Sequence, residues 1–116
     1  CVAFAFEQFG RVDVLVNNAG GAPYAEAATA SPRFSESIIG LNLIAPLNFS
    51  QVVNRVMQQQ ESGGCIINIA SVSTIRPSPG TAAYGAAKAG MGTESACQCA
   101  GCGTDRDRTG TFTLRR

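Results

Sequence analysis

"RVDVLVNNAG", residues 11–20, gathers Val12, Val14, Leu15 and Val16 into one short apolar run and then stops at two asparagines. A run of that length, rich in β-branched residues, predicts a strand buried on both faces and ending at Asn17. Upstream, Val2, Phe6 and Phe9 recur at helical spacing and Gly10 closes the pattern, which reads as the last turns of a helix. Downstream, residues 22–31 are small and polar, the composition of a loop. Ser31 and Pro32 then supply an N-cap and a first-turn proline. From there Phe34, Ile38, Leu41, Ala45, Phe49, Val52 and Val56 recur at three- and four-residue steps, laying an apolar stripe along a helix that runs to about Met57. "ESGG" turns the chain, "CIINIAS" at 65–71 is a second buried-strand run, and Pro77, Pro79 and Gly80 hold an irregular loop before a helix that starts near Thr81. The order helix, strand, helix, strand, helix predicts a parallel sheet with helices on both faces. This is a doubly wound α/β arrangement, and such folds bind ligands at the carboxyl ends of their strands.

Composition narrows the partners. The chain has 116 residues, 45% of them hydrophobic, enough for one globular domain. Its net charge is +1 with 15% charged residues and no long basic run, so neither nucleic acid nor an anionic membrane surface is an expected partner. No apolar stretch approaches the ~20 residues that span a bilayer, and the expected location is cytoplasmic. The sequence opens at Cys1 inside an apolar pattern, and it is expected to be an internal piece of a longer chain. Cys1 and Cys65 are expected to be structural, free thiols that behave as small hydrophobes. Cys97, Cys99 and Cys102 form "CQCAGC", but a closed zinc site takes four ligands and the chain has no histidine, so no metal site is expected.

"YGAAK", residues 84–88, places a phenol and an ammonium four residues apart, neighbours on one helix face. A tyrosine, with its ordinary pKa near ~10, is a poor base at neutral pH, and a nearby ammonium favours its anion by charge attraction. Thirteen residues before Tyr84, at the end of the second strand run, stands Ser71, whose hydroxyl can hydrogen-bond a substrate oxygen. Asn42 lies on the buried side of the long helix, and a buried amide must be satisfied. Pro46 follows four residues later without an N–H, so the Asn42 carbonyl loses its helical partner and a kink is expected there.

Asn17 to Gly20 ("NNAG") at one strand end, Asn42 in the next helix, Ser71 at the next strand end, and Tyr84 with Lys88 resemble the short-chain dehydrogenase/reductase family in order and spacing. The resemblance covers about residues 1–91. It implies the central portion of a Rossmann fold, with residues 1–91 a partial NAD(P)-binding domain. It also implies an oxidoreductase that moves hydride between NAD or NADP and a small-molecule carbonyl or secondary alcohol. In that family the residues matching Tyr84, Lys88, Ser71 and Asn42 are catalytic. The first gives or takes the proton, and the second tunes it and holds the cofactor ribose. The third orients the substrate, and the main-chain carbonyl of the fourth holds a proton-relay water. Cofactor binding is implied for Asn17, Asn18, Ala19, Gly20, Tyr84 and Lys88. Homo-oligomerisation through the long helix and the Ala- and Gly-rich helix 82–90 is also implied.

The family's Gly-rich phosphate-binding turn has no counterpart in this sequence, since "GAAKAGMG" (85–92) does not join a strand to the start of a helix. After about Met91 the apolar periodicity is lost and three of the five cysteines crowd together. Residues 92–116 are expected to be a divergent tail, the frame-shifted translation of former dehydrogenase sequence. The alternative reading of the whole is a non-catalytic, truncated remnant.

Overall fold

The computed structural model describes residues 1–76 and 78–92, and the backbone of 97–100. Helix α1 (Val2–Phe9) ends at Gly10, whose φ of 69° is the left-handed value a helix stop uses. Strand β1 (Val14–Asn17) follows, then a loop to helix α2 (Pro32–Ile39). Ser31 caps α2 by accepting a hydrogen bond from the Phe34 N–H at 3.2 Å, the role expected of it. The long helix continues through a π-turn (Gly40–Ile44) into α3 (Ala45–Met57). Strand β2 (Gly64–Asn68), a 3₁₀ turn (Val72–Thr74), helix α4 (Ala82–Met91) and strand β3 (Cys97–Ala100) complete the described chain.

β1 and β2 pair in parallel, with Leu15 beside Ile66 and Asn17 beside Asn68, as the alternation of elements predicts. β3 joins the other side of β2 and runs antiparallel, so the sheet is mixed, in the order β1-β2-β3. The rest of the divergent tail lies outside the described residues, as do the side chains of Cys97, Cys99 and Cys102. Cys65, read from sequence as a free thiol, is instead disulfide-bonded.

The core forms where α3 lies on the sheet. Val53, Met57 and Ile66 are almost wholly buried and Val2, Val12 and Leu15 pack against them, each large side chain contributing about 1.5–3 kcal/mol. Gly64 makes room here, because a Cβ at that position would sit 2.5 Å from the Met57 sulfur and force that buried side chain to shift. Two sequence expectations need correction. Among the described residues, helices pack on one sheet face: Leu15, Asn17 and Ile66 point into the core, while Val14 and Val16 on the opposite face are 54% and 52% exposed. A run of β-branched residues suits either environment, so its composition does not tell one buried face from two. The stripe along the long helix is also rotated. Ile38, Asn42, Pro46, Val53 and Met57 face inward, whereas Leu41, Phe49 and Val52 face out, because the helix carries two apolar faces and the sheet takes one.

The start of β1 is held by a side chain acting as backbone. Gln60, in the turn after α3, accepts from the Val12 N–H at 2.8 Å and donates to the carbonyls of Val12 at 3.0 Å and Gly63 at 2.8 Å. Nearby, Arg11 pairs with Asp13, and that hydrogen bond and charge hold its guanidinium above its ordinary pKa.

Candidate active site

At the carboxyl end of β1, Asn18, Ala19 and Gly20 are exposed, but Asn17 is not. Its buried carboxamide N–H₂ donates to Asn68 Oδ1 at 2.8 Å and Ser50 Oγ at 2.9 Å, with the Pro46 carbonyl at 3.4 Å. That side chain ties β1 to β2 and α3. Beyond it, Gly20 and Gly21 run beside the long helix. A Cβ at Gly20 would fall 2.6 Å from Asn42 Oδ1 and 3.6 Å from Lys88 Nζ, so only glycine lets the loop pass between these groups.

Asn42 sits inside the π-turn, and the reason is local. Pro46 has no N–H to offer the Asn42 carbonyl, and the helix widens, the Ala45 N–H reaching back five residues to the Gly40 carbonyl. The expected kink is thus a π-turn. The Asn42 side chain is fully buried and fully used. It donates to the carbonyls of Ile38 at 2.8 Å and Gly21 at 2.9 Å and accepts from the Gly21 N–H at 2.8 Å. In effect it pairs with Gly21 as a strand would, fixing the loop after β1 to the helix. The main-chain carbonyl was the group singled out from sequence. The side-chain clamp across 21 residues has no short-range signal.

The other three residues converge from β2 and α4. Ser71 opens the 3₁₀ turn after β2, its Oγ accepting from the Ser73 N–H at 3.2 Å. The hydroxyl therefore caps the turn while its own hydrogen stays available to an outside acceptor. α4 packs against this turn at Gly85, where a Cβ would stand 3.3 Å from the Ser73 carbonyl, and against the π-turn at Gly90, where it would meet Leu43 at 3.1 Å. The small residues of α4 are thus the means by which Tyr84 and Lys88 reach the strand ends. Lys88 is 3% exposed. Its Nζ donates to the Ile69 carbonyl at 2.7 Å, just past β2, and lies 5.8 Å from the centre of the Tyr84 ring. An ammonium that close to an aromatic ring is attracted to it electrostatically.

The structure therefore brings Gly20, Asn42, Lys88 and Tyr84 into one cluster at the carboxyl ends of β1 and β2, with Ser71 on the turn that α4 contacts. Sequence reasoning missed Tyr24. Its ring lies on Gly80, ahead of α4, and the Ala25 N–H donates to the Gly80 carbonyl at 3.1 Å. A single aromatic in a loop of small residues was the available signal. Among the described residues, no helix is long and apolar enough to cross a membrane.

Comparison with known proteins gives the same result from another direction. The chain is 37% identical over 93 residues to a 7alpha-hydroxysteroid dehydrogenase of Bacteroides fragilis, covering 78% of this chain and 36% of that protein. It is 40% identical over 85 residues to a 3-oxoacyl-(acyl-carrier-protein) reductase of Synechocystis, covering 73% and 34%. A crystal structure from Sinorhizobium meliloti, assigned to the short-chain alcohol dehydrogenases, superposes with a TM-score of 0.72 at 29% identity, over 77% of this chain and 35% of that one. The chain thus spans about a third of the length of the curated relatives it matches. The short chain dehydrogenase family model matches residues 1–98, which takes in every residue of the cluster, and the chain belongs to that family.

Proposed function

We propose that the protein to which this chain belongs is an NAD(P)-dependent oxidoreductase interconverting a carbonyl and a secondary alcohol, with Tyr84 as proton donor and acceptor. The observation that carries this reading is the buried Lys88 ammonium, held beside the Tyr84 ring and against Gly20 at the strand ends. A charge this buried is costly unless it is paired or used. One of its three N–H groups goes to the Ile69 carbonyl, and the donor set that remains suits the hydroxyls of a ribose. Asn18, Ala19, Gly20, Tyr84 and Lys88 are the residues that would hold the nucleoside end of such a cofactor. Asn17 supports them from behind. A bound nicotinamide supplies or accepts the hydride.

The chain's own residues handle the proton. Tyr84 Oη delivers it to the substrate oxygen in reduction and removes it in oxidation. Ser71 Oγ donates to the same substrate oxygen and steadies the charge that develops on it. The main-chain carbonyl of Asn42, in the π-turn, would hold a relay water. The relatives' names, a hydroxysteroid dehydrogenase and an oxoacyl reductase, support hydroxyl and carbonyl groups as the substrate class. The outward apolar face of α3, with Leu47, Phe49 and Val52 exposed, supports pairing of two copies.

Two measurements on the purified chain and on the longer protein test this. NAD(P)H fluorescence should report saturable binding that Lys88→Ala abolishes. Tyr84→Phe should lower turnover by about 10²-fold or more, the usual worth of a positioned acid–base group, with cofactor binding kept. Binding indifferent to Lys88, or turnover retained by Tyr84→Phe, would refute the assignment.

A further inference from the structure

Cys65 takes part in a disulfide, and Cys1 is free and exposed. The chain has five cysteines, so a partner within it is Cys97, Cys99 or Cys102. The backbone of the sheet separates these three. β3 runs antiparallel to β2 with Cys99 opposite Cys65 and Cys97 opposite Ile67, and Cys102 lies outside the strand. The Cys65 N–H donates to the Asp13 carbonyl at 2.9 Å and the Ile69 N–H to the Asn17 carbonyl at 3.1 Å, both on the β1 side. N–H groups alternate along a strand, so that of Ile66 is directed to β3. Ile66 and Gln98 are therefore a hydrogen-bonded rung, and Cys65 and Cys99 a non-hydrogen-bonded one.

That kind of rung suits a disulfide. Opposed Cα atoms in a non-hydrogen-bonded pair stand about 4.5 Å apart, inside the range of roughly 4.4–6.8 Å that the bond spans. Cys97 is two residues along on the diagonal, where Cβ atoms are about 7 Å apart, and a disulfide takes roughly 3.5–4.5 Å. The rung is also within reach of solutes. Cys65 stands beside Val14 in the β1 register, on the sheet face where Val14 and Val16 are exposed, and it is itself half-buried. β3 has four residues and lies at the end of the described sheet, beyond β2. A strand so short, paired on one side, opens readily unless something else fixes it.

We propose that Cys65 and Cys99 form a cross-strand disulfide that staples β3 to β2, and that thiol–disulfide exchange at this rung sets whether β3 stays on the sheet. The oxidant is a small-molecule disulfide. One cysteine thiolate attacks it and releases one thiol, and the second cysteine thiolate then displaces the other thiol from the mixed disulfide. Two electrons pass from the cysteine pair to the oxidant, and the two protons the cysteines lose end on the two released thiols. Oxidation covers the edge of β2. Reduction opens it, leaving the Ile66 N–H and its neighbours to water or to another strand. None of the residues assigned to proton transfer takes part.

Incubating the 116-residue chain with oxidised glutathione, and then with excess dithiothreitol, tests this. Trypsin leaves Cys65 on the peptide that ends at Lys88, and Cys97, Cys99 and Cys102 on the next, residues 89–106. Mass spectrometry of the oxidised chain should find these two peptides joined, with fragmentation placing the bond between Cys65 and Cys99, and dithiothreitol should part them. Cys99→Ser should abolish the link, while Cys97→Ser and Cys102→Ser keep it. Amide exchange followed by NMR reads the strand itself. Reduction should speed exchange at the Ile66 amide by about tenfold or more and leave the Ile69 amide, bonded to the Asn17 carbonyl, as it was. This comparison uses the unsubstituted chain, so it decides even where a serine variant fails to fold. A bond from Cys65 to Cys97 or Cys102, a bond between two copies, or a chain that stays fully thiol in oxidised glutathione overturns the proposal. So does an Ile66 amide indifferent to reduction, or one that quickens together with Ile69, which would mean that the whole sheet opens.

Discussion

Asn42 joins three parts of the chain through one carboxamide: the loop at Gly21, the helix at Ile38, and the glycine gap that Lys88 borders. Truncating it strands a buried carbonyl and a buried N–H. Asn42→Ala should therefore destabilise the fold by about 2–3 kcal/mol, measured by urea unfolding, since each orphaned group loses its partner without regaining water. At this scale the sequence was informative wherever chemistry is local. Pro46 removes a donor four residues from Asn42, and Tyr84 and Lys88 share a helix face by spacing alone. It was silent where partners are distant in the chain, as with the Lys88 contact to the Ile69 carbonyl and the Tyr24 ring on Gly80.

Among the elements, the long helix was the most legible, because its cap, its proline and its periodicity all lie within it. Ser31 and Pro32 mark its start, Met57 its end, and Pro46 its irregular turn. Which of its apolar faces meets the sheet was not legible, since Phe49 and Val52 are as apolar as Val53 and Met57. Gln60 was hidden for a related reason: a polar residue in a turn signals solvent, not a rung of hydrogen bonds on β1. Two substitutions test how the elements are held. Ser31→Ala should cost about 1 kcal/mol through the lost cap on α2, read as a lower urea midpoint. Gly64→Ala should cost about 1–3 kcal/mol by forcing the Met57 sulfur from its buried position. Pairing Gly64→Ala with Met57→Ala should recover part of that loss, and a double variant no better than the sum of the singles would show that the two residues do not collide.

For the molecule as a whole, the one-sided sheet decides which changes matter. Val16→Thr, on the bare face, should shift unfolding free energy by no more than about 0.5 kcal/mol, while Ile66→Ala, on the covered face, should cost about 2–5 kcal/mol. Equal effects from the two would mean that another layer covers Val16 in solution. The described residues supply two parallel strands and the helices on one side, within a chain about a third of its relatives' length that carries the residues proposed to handle the proton. A last consequence comes from the Tyr24 contact with Gly80. The protein has two tyrosines and no tryptophan, and Tyr24 rests on Gly80, four residues ahead of Tyr84. Its tyrosine emission is thus a local signal, although its far-ultraviolet dichroism reports every helix. Heating the protein while recording both will show whether this corner opens with the fold or before it, with no label attached.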